Sequence, residues 1–224
     1  MLNKQSKMLR LSALSLAVAG AMTVAPAANA EVSAAVGIAN MYLWRGFDLG
    51  TGDAQVSGDL SYSSSGFYTG VWAASGDGAW GSEYDLYAGY GAEFGGVSVD
   101  LSVWTYTYAN YETFNDPGEL SDAVLSLGFA GFSVTGYDNI AGGSGNAYYT
   151  ISYGYDAFSI LVGHHDIRGD FGWSDDIADD DMTHVDLSYA YNDNLSFTVS
   201  QQVDQEQDNG KPKVVVSYSL PLGD

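Results

Sequence analysis

Two sets of acidic side chains could do chemistry in this 224-residue chain. Asp59, Glu83, Asp85, Glu93, Asp100 and Asp186 sit at alternate positions within otherwise oily segments. Carboxylates along one face of a wall attract cations and exclude anions. Asp170, Asp175, Asp176, Asp179, Asp180 and Asp181 crowd into the stretch Arg168–Asp181. Hard oxygen ligands of this kind suit Ca2+, so these six are candidates for binding cations in a loop. The spacing lacks the Gly and final Glu of an EF-hand, and a solvated acidic loop is the plainer reading. No metal site is assigned. Arg45 falls at the outer end of the first apolar run, facing inward. There it would pair with carboxylates and narrow a channel, or else be a loop arginine in water. His164 and His165 are neighbours on a strand and must point to opposite faces. His165 and His184 can approach across neighbouring strands, but zinc needs three or four ligands. No G-x-S-x-G turn and no phosphate loop ahead of a helix is present. The sequence therefore assigns no catalytic residue and no cofactor, and the chain reads as a non-enzyme.

The elements that carry these residues repeat with period two. In Glu83–Thr107, Tyr84, Leu86, Ala88, Tyr90, Ala92 and Phe94 alternate with Glu83, Asp85, Tyr87, Gly89, Gly91 and Glu93. After Gly95-Gly96, Val97, Val99, Leu101 and Val103 alternate with Ser98, Asp100 and Ser102. Such alternation specifies strands with one apolar face, and the Gly-Gly link specifies a hairpin. Similar runs cover Val32–Trp44, Ala54–Ser63, Phe67–Ala74, Leu120–Phe129, Phe132–Asp138, Asn146–Tyr155, Phe158–Ile167, Met182–Tyr191, Leu195–Val203 and Lys213–Leu222. With the central hairpin this makes about twelve strands, each near the length that crosses a bilayer when tilted.

The connections alternate strictly. Ser64–Gly66, Gly95-Gly96, Ala130-Gly131, Asp156-Ala157 and Asn192–Asn194 are tight, whereas the links between them are longer and rich in Asp and Gly. An outer-membrane barrel sorts its loops in this way, with short periplasmic turns and longer external loops. A soluble sandwich has no reason to. Tyr42, Trp44, Phe94, Phe129, Tyr155 and Tyr191 lie near strand ends, where aromatic girdles are expected. Trp104, Tyr106 and Tyr108 continue the inward face of the fifth strand, bulk enough to fill a small barrel.

Lys4, Lys7 and Arg10, the apolar run Leu11–Val24 and Ala28-Asn29-Ala30 form a Sec signal peptide cleaved after Ala30. The domain expectation is thus residues 1–30 as leader and 31–224 as barrel. Removing the leader takes three of the seven basic residues and none of the 28 acids, so the net charge becomes 4 − 28 = −24. Such a chain does not bind nucleic acid. Cysteine is absent, so no disulfide staples the fold.

Three stretches, Tyr42–Tyr62 (YLWRGFDLGTGDAQVSGDLSY), Ser65–Asp77 and Ser82–Val103, resemble the TorF family of porins. The resemblance is best over the first half of the mature chain. It implies an outer-membrane barrel in a Gram-negative bacterium and defines neither a substrate nor a site. The end departs from the usual barrel pattern, with Leu222 where a terminal aromatic is expected. The expected fold is an all-β, antiparallel transmembrane β-barrel located in the outer membrane. The expected activity is passive diffusion of small hydrophilic, cationic solutes past Arg45, Asp59, Glu83, Asp85, Glu93, Asp100 and Asp186. Its partners would be outer-membrane lipid, lipopolysaccharide and those solutes. The alternatives are a closed barrel that binds ions or a surface partner through its acidic loops, an outer-membrane hydrolase, and a soluble periplasmic sandwich.

Overall fold

A computed structural model of the chain describes residues 30–168, 181–204 and 211–222. Apart from Ala30, the expected leader lies outside the described residues, as do Asp170, Asp175, Asp176, Asp179 and Asp180. The elements are β1 (Glu31–Ala39), β2 (Leu43–Trp44), β3 (Phe47–Asp48), β4 (Gln55–Ser64), β5 (Phe67–Asp77), β6 (Gly81–Phe94), β7 (Val97–Tyr108), β8 (Leu120–Phe129), β9 (Phe132–Ala141), β10 (Ala147–Tyr155), β11 (Phe158–Asp166), β12 (Met182–Ala190), β13 (Leu195–Asp204) and β14 (Lys213–Leu222). Every strand except β2 and β3 joins one closed barrel, in the order β1-β14-β13-β12-β11-β10-β9-β8-β7-β6-β5-β4. Closure is made by β1, which pairs antiparallel with β4 (Val36↔Gly58) and with β14 (Val36↔Leu220). No edge of the barrel is left to aggregate.

The local sequence explains the turns. Ser65-Gly66, Gly95-Gly96 and Ala130-Gly131 all have positive φ at both central residues, the geometry of a type I′ hairpin whose twist matches its strands. These turns share a rim with the start of β1 and the end of β14, since Glu31 pairs with Ser63 and Leu222 with Ala34. The longer links lie on the other rim. There the ladders of β5–β6, β8–β9 and β12–β13 slip register, between Ala74/Asp77, Ser121/Asp122 and Thr183/His184.

Alternation then sorts the side chains. Val36, Ile38, Leu60, Leu86, Leu101, Leu125, Ile151, Leu187, Val214 and Leu220 are exposed around the outside. Apolar surface this continuous does not face water in a monomeric soluble protein; it faces lipid. Phe94, Phe129, Tyr155 and Tyr191 ring its lower border at the short-turn rim. No described helix is long and apolar enough to cross a membrane.

The lumen changes character along its axis. Near the short turns it is lined by small hydroxyl side chains, which pair across the ladder as Ser33–Ser61 (2.7 Å), Ser126–Thr135 (2.8 Å) and Ser188–Thr198 (2.8 Å). Further along, Tyr87, Trp104, Val124, Tyr137 and Tyr148 form a buried cluster on β6–β10, joined from the short-turn end of β5 by Tyr68. Tyr87 stacks on Trp104 with ring centres 4.3 Å apart. Two of these rings lie across glycines of the facing strand. Tyr68 pairs with Gly89 and Tyr87 with Gly70. A Cβ on Gly70 would sit 2.4 Å from the Tyr87 hydroxyl, and one on Gly89 would sit 2.4 Å from that of Tyr68. Trp104 and Tyr108 are buried inside, as their place in the pattern predicts.

One element departs from the expected course. The first strand ends at Ala39 instead of Trp44, and residues 40–54 fold inward. Tyr42 and Trp44 therefore leave the expected girdle. Tyr42 is buried and Trp44 half-buried. The apolar Met41–Trp44 run continues the strand pattern in composition, but Leu43 packs instead against Ala39 and Val215.

Candidate functional site

The inward segment is a miniature hairpin. β2 and β3 pair through Leu43↔Asp48 and Trp44↔Phe47, and Arg45-Gly46 forms the tip with φ of 47° and 89°. Both values demand the left-handed region, which glycine enters freely and arginine at some cost. Gly46 is required for a second reason, because a Cβ there would lie 2.7 Å from His184 Cγ. The base of the loop is tied by Leu49 N–H to the Tyr42 carbonyl (2.8 Å), and Gly78 N–H of the adjoining loop donates to the Leu49 carbonyl (2.8 Å).

The tip reaches most of the way around the wall. Arg45 Nη2 donates to Asp122 Oδ2 of β8 at 3.2 Å and to the Tyr106 hydroxyl of β7 at 3.4 Å. The guanidinium carbon lies 4.2 Å from the centre of the Tyr137 ring, 4.9 Å from Tyr148 and 4.6 Å from its neighbour Trp44. His165 Nε2 of β11 donates to the Arg45 carbonyl (2.8 Å), and Gln202 Nε2 of β13 donates to the Gly46 carbonyl (3.1 Å). Asp122 is held in turn by Tyr106 (3.1 Å) and by Asn139 Nδ2 on its other oxygen (3.1 Å). Arg45 thus faces inward as expected, but from the tip of a plug and not from a strand end.

The other acidic positions surround this tip or lie below it. Glu83 is buried and accepts hydrogen bonds from Tyr42 and from Tyr108 (2.7 Å). Burial first, and then the Glu83 and Asp85 carboxylates, push the Tyr42 phenol well above its ordinary pKa, so it remains a donor. Asp85 is also buried, and its Oδ1 has no hydrogen-bond partner among the described residues. Asp59 and Asp100 lie lower, accepting from Tyr87 and Tyr68 respectively, each at 2.8 Å. Asp186 Oδ1 is 2.9 Å from His184 Nδ1. In the neutral ring Nδ1–H donates to that carboxylate, and Nε2 accepts from the Tyr148 hydroxyl at 2.8 Å. Glu93 stands apart, exposed beside the Gly95-Gly96 turn. Asp181 is exposed and accepts from Ile167 N–H (2.9 Å).

His165 and His184 do meet inside, with ring centres 6.4 Å apart, and His164 faces outward toward Thr183 Oγ1 (3.0 Å). No group of three or more His, Asp or Glu side chains that could hold a metal occurs among the described residues. Asp122 was not singled out from the sequence. Its signal was its place, two residues before Val124 on the polar face of the Leu120–Phe129 run, where it would face Arg45.

A closed antiparallel barrel with a lipid-facing belt, aromatic rim, polar lumen and inward plug is an outer-membrane β-barrel. The chain belongs to the family described as bacterial protein of unknown function (Gcw_chp), which matches residues 23–210. No curated protein sequence is significantly similar. Among solved structures, the chain is similar to the outer-membrane phospholipase (OMPLA) dimer of Salmonella typhi with bound calcium, at 11% identity over 96% of this chain and 98% of that one, TM-score 0.44. Outer membrane phospholipase A of Escherichia coli is similar at 10% identity, 97% and 98% coverage and TM-score 0.44. OccK2 (OpdF) of Pseudomonas aeruginosa is similar at 14% identity, 76% and 58% coverage and TM-score 0.39. Likeness this remote transfers neither fold nor chemistry, and the barrel assignment stands on the closed strand order itself.

Proposed function

We propose that this protein is a gated outer-membrane channel, through which small hydrophilic cations diffuse when the β2–β3 hairpin leaves the lumen. The observation that carries this reading is how the plug is held. Its tip is fastened by an ion pair, aromatic faces and single hydrogen bonds to His165 and Gln202, above a lumen lined by Ser and Thr. A barrel of purely structural interior fills with side chains throughout. The tip's polar contacts can be exchanged for water, which leaves the packing of Leu43 and Phe47 as the apolar part of the fastening.

Selectivity in this reading comes from the carboxylates. Asp59, Glu83, Asp85, Asp100 and Asp186, joined by Asp122 and, at the short-turn mouth, by Glu93, give the path more acidic side chains than basic ones. The resemblance of Tyr42–Tyr62, Ser65–Asp77 and Ser82–Val103 to the TorF porins points the same way. The domain reading is a cleaved leader, residues 1–30, and a barrel, residues 31–224, set in outer-membrane lipid and lipopolysaccharide. No cofactor enters it, and no catalytic residue. The Asp186–His184–Tyr148 chain ends on a buried phenol, not on a hydroxyl open to a substrate.

Planar-bilayer recording tests the reading. Ala39 already pairs with Gln55, so residues 41–53 can be replaced by an Asn-Gly turn with the wall intact. The wild-type barrel should conduct rarely and the shortened one steadily, with cation preference. Silence from both, or anion preference, would retire the channel in favour of a closed barrel that binds through its loops.

A further inference from the structure

The pocket occupied by Arg45 is, we propose, a binding site for a guanidinium-bearing solute, filled in the closed barrel by the plug's own side chain. The wall supplies most of the site. Tyr106, Asp122, Tyr137 and Tyr148 belong to β7, β8, β9 and β10, and all four stay when the hairpin withdraws. What remains is two phenol faces, set at 4.2 and 4.9 Å from the present guanidinium carbon, and a carboxylate oxygen at 3.2 Å from its nitrogen. A flat, weakly hydrated cation stacks on rings while donating at its edge. An ammonium matches the charge but not the shape.

Charge argues for a ligand as well. Arg45 and Asp122 pair one to one, and the buried Asp85 lies against Glu83, so Arg45 is the cation that Asp122 has. Once the hairpin leaves, Asp122 lines this part of the wall without the cation that now pairs with it. Buried carboxylates hold their charge only beside a cation or in water. A hard metal ion does not meet the need, because the described residues bring no three metal-ligating side chains together. Passage of the solute rests on the channel reading; occupancy of the pocket does not.

The test uses the full barrel in detergent and needs no conductance. Arg45→Gly empties the pocket and keeps the hairpin tip, since φ at Arg45 is 47°. Methylguanidinium is titrated at millimolar concentration at constant ionic strength, with methylammonium in parallel. Heat-modifiability on a gel reports the unfolding temperature and the fraction refolded. Methylguanidinium should raise the unfolding temperature of Arg45→Gly saturably and leave the wild type, whose pocket is full, unmoved. Methylammonium should do less, and adding Asp122→Asn should abolish the response. If Arg45→Gly refolds poorly, methylguanidinium during refolding should raise its yield. The proposal is overturned if neither the unfolding temperature nor the yield of Arg45→Gly responds more than the wild type. A saturable response with silent bilayers retires the channel and keeps the site; a conducting barrel with a flat titration retires the site alone.

Discussion

The ion pair between the plug and the wall makes a quantitative prediction about opening. Arg45 and Asp122 expose only 11% and 9% of their side chains, so solvent screening discounts their interaction little. Removing one partner of a buried pair costs roughly 3–5 kcal/mol, mostly because the other charge is stranded. If the closed state alone holds the pair, that cost falls on the closed state. At 1.4 kcal/mol per tenfold, a loss of ~3 kcal/mol raises the open-to-closed ratio about a hundredfold. The two single variants should differ. Arg45→Ala leaves Asp122 still accepting from Tyr106 and Asn139. Asp122→Ala leaves a guanidinium with rings but no anion directly against it, and should open more. The double variant strands neither charge, so its effect should fall well short of the sum, with a coupling of ~2 kcal/mol or more. Open probability in single-channel records supplies all four corners of the cycle, and heat-modifiability certifies each barrel as folded. Additivity within ~0.5 kcal/mol, or open probabilities equal to wild type, would refute the latch.

Three further outcomes are expected. Leu101→Arg on the lipid face should cost about 2–4 kcal/mol on refolding into vesicles, whereas Ser126→Arg on the lumen face should fold and shift the reversal potential toward anions. Gly163→Ala should weaken the barrel by ~1–3 kcal/mol in urea unfolding, since its Cβ would lie 2.3 Å from both His184 Nε2 and the Tyr148 hydroxyl and force that bonded pair apart. The purified protein should stay monodisperse on gel filtration only with detergent, because the exposed belt of Leu60, Leu101, Leu125 and Leu187 has no partner in water.

Much of the barrel was legible because each strand carries its own evidence. Val97–Val103 alternates so cleanly that its face, its register with Ala92 and its tight turn all follow from period two and Gly95-Gly96. Loop lengths then sorted the rims. The plug was illegible for a physical reason: Met41–Trp44 is as apolar as a strand end, and alternation cannot distinguish a residue greased for lipid from one packed on Val215. A turn signal was nonetheless present in Arg45-Gly46, flanked by Trp44 and Phe47. The lumen carboxylates Asp59, Glu83, Asp85 and Asp100 were found from their place opposite the oily residues. Asp122 is not legible in the sequence, because its importance depends on Arg45, distant in sequence and adjacent only after the hairpin turns inward. The serine-lined lower lumen is not legible in the sequence, because a serine alternating with valine reads the same whether it faces a cavity or solvent.

The crossed pairs of Tyr68 over Gly89 and Tyr87 over Gly70 have a consequence for calibre. Each ring reclines along the masonry of the cylinder because the opposite residue has no side chain. A methyl group at either glycine would tip the phenol upright toward the axis. The way these two rings lie therefore depends on both facing positions staying glycine.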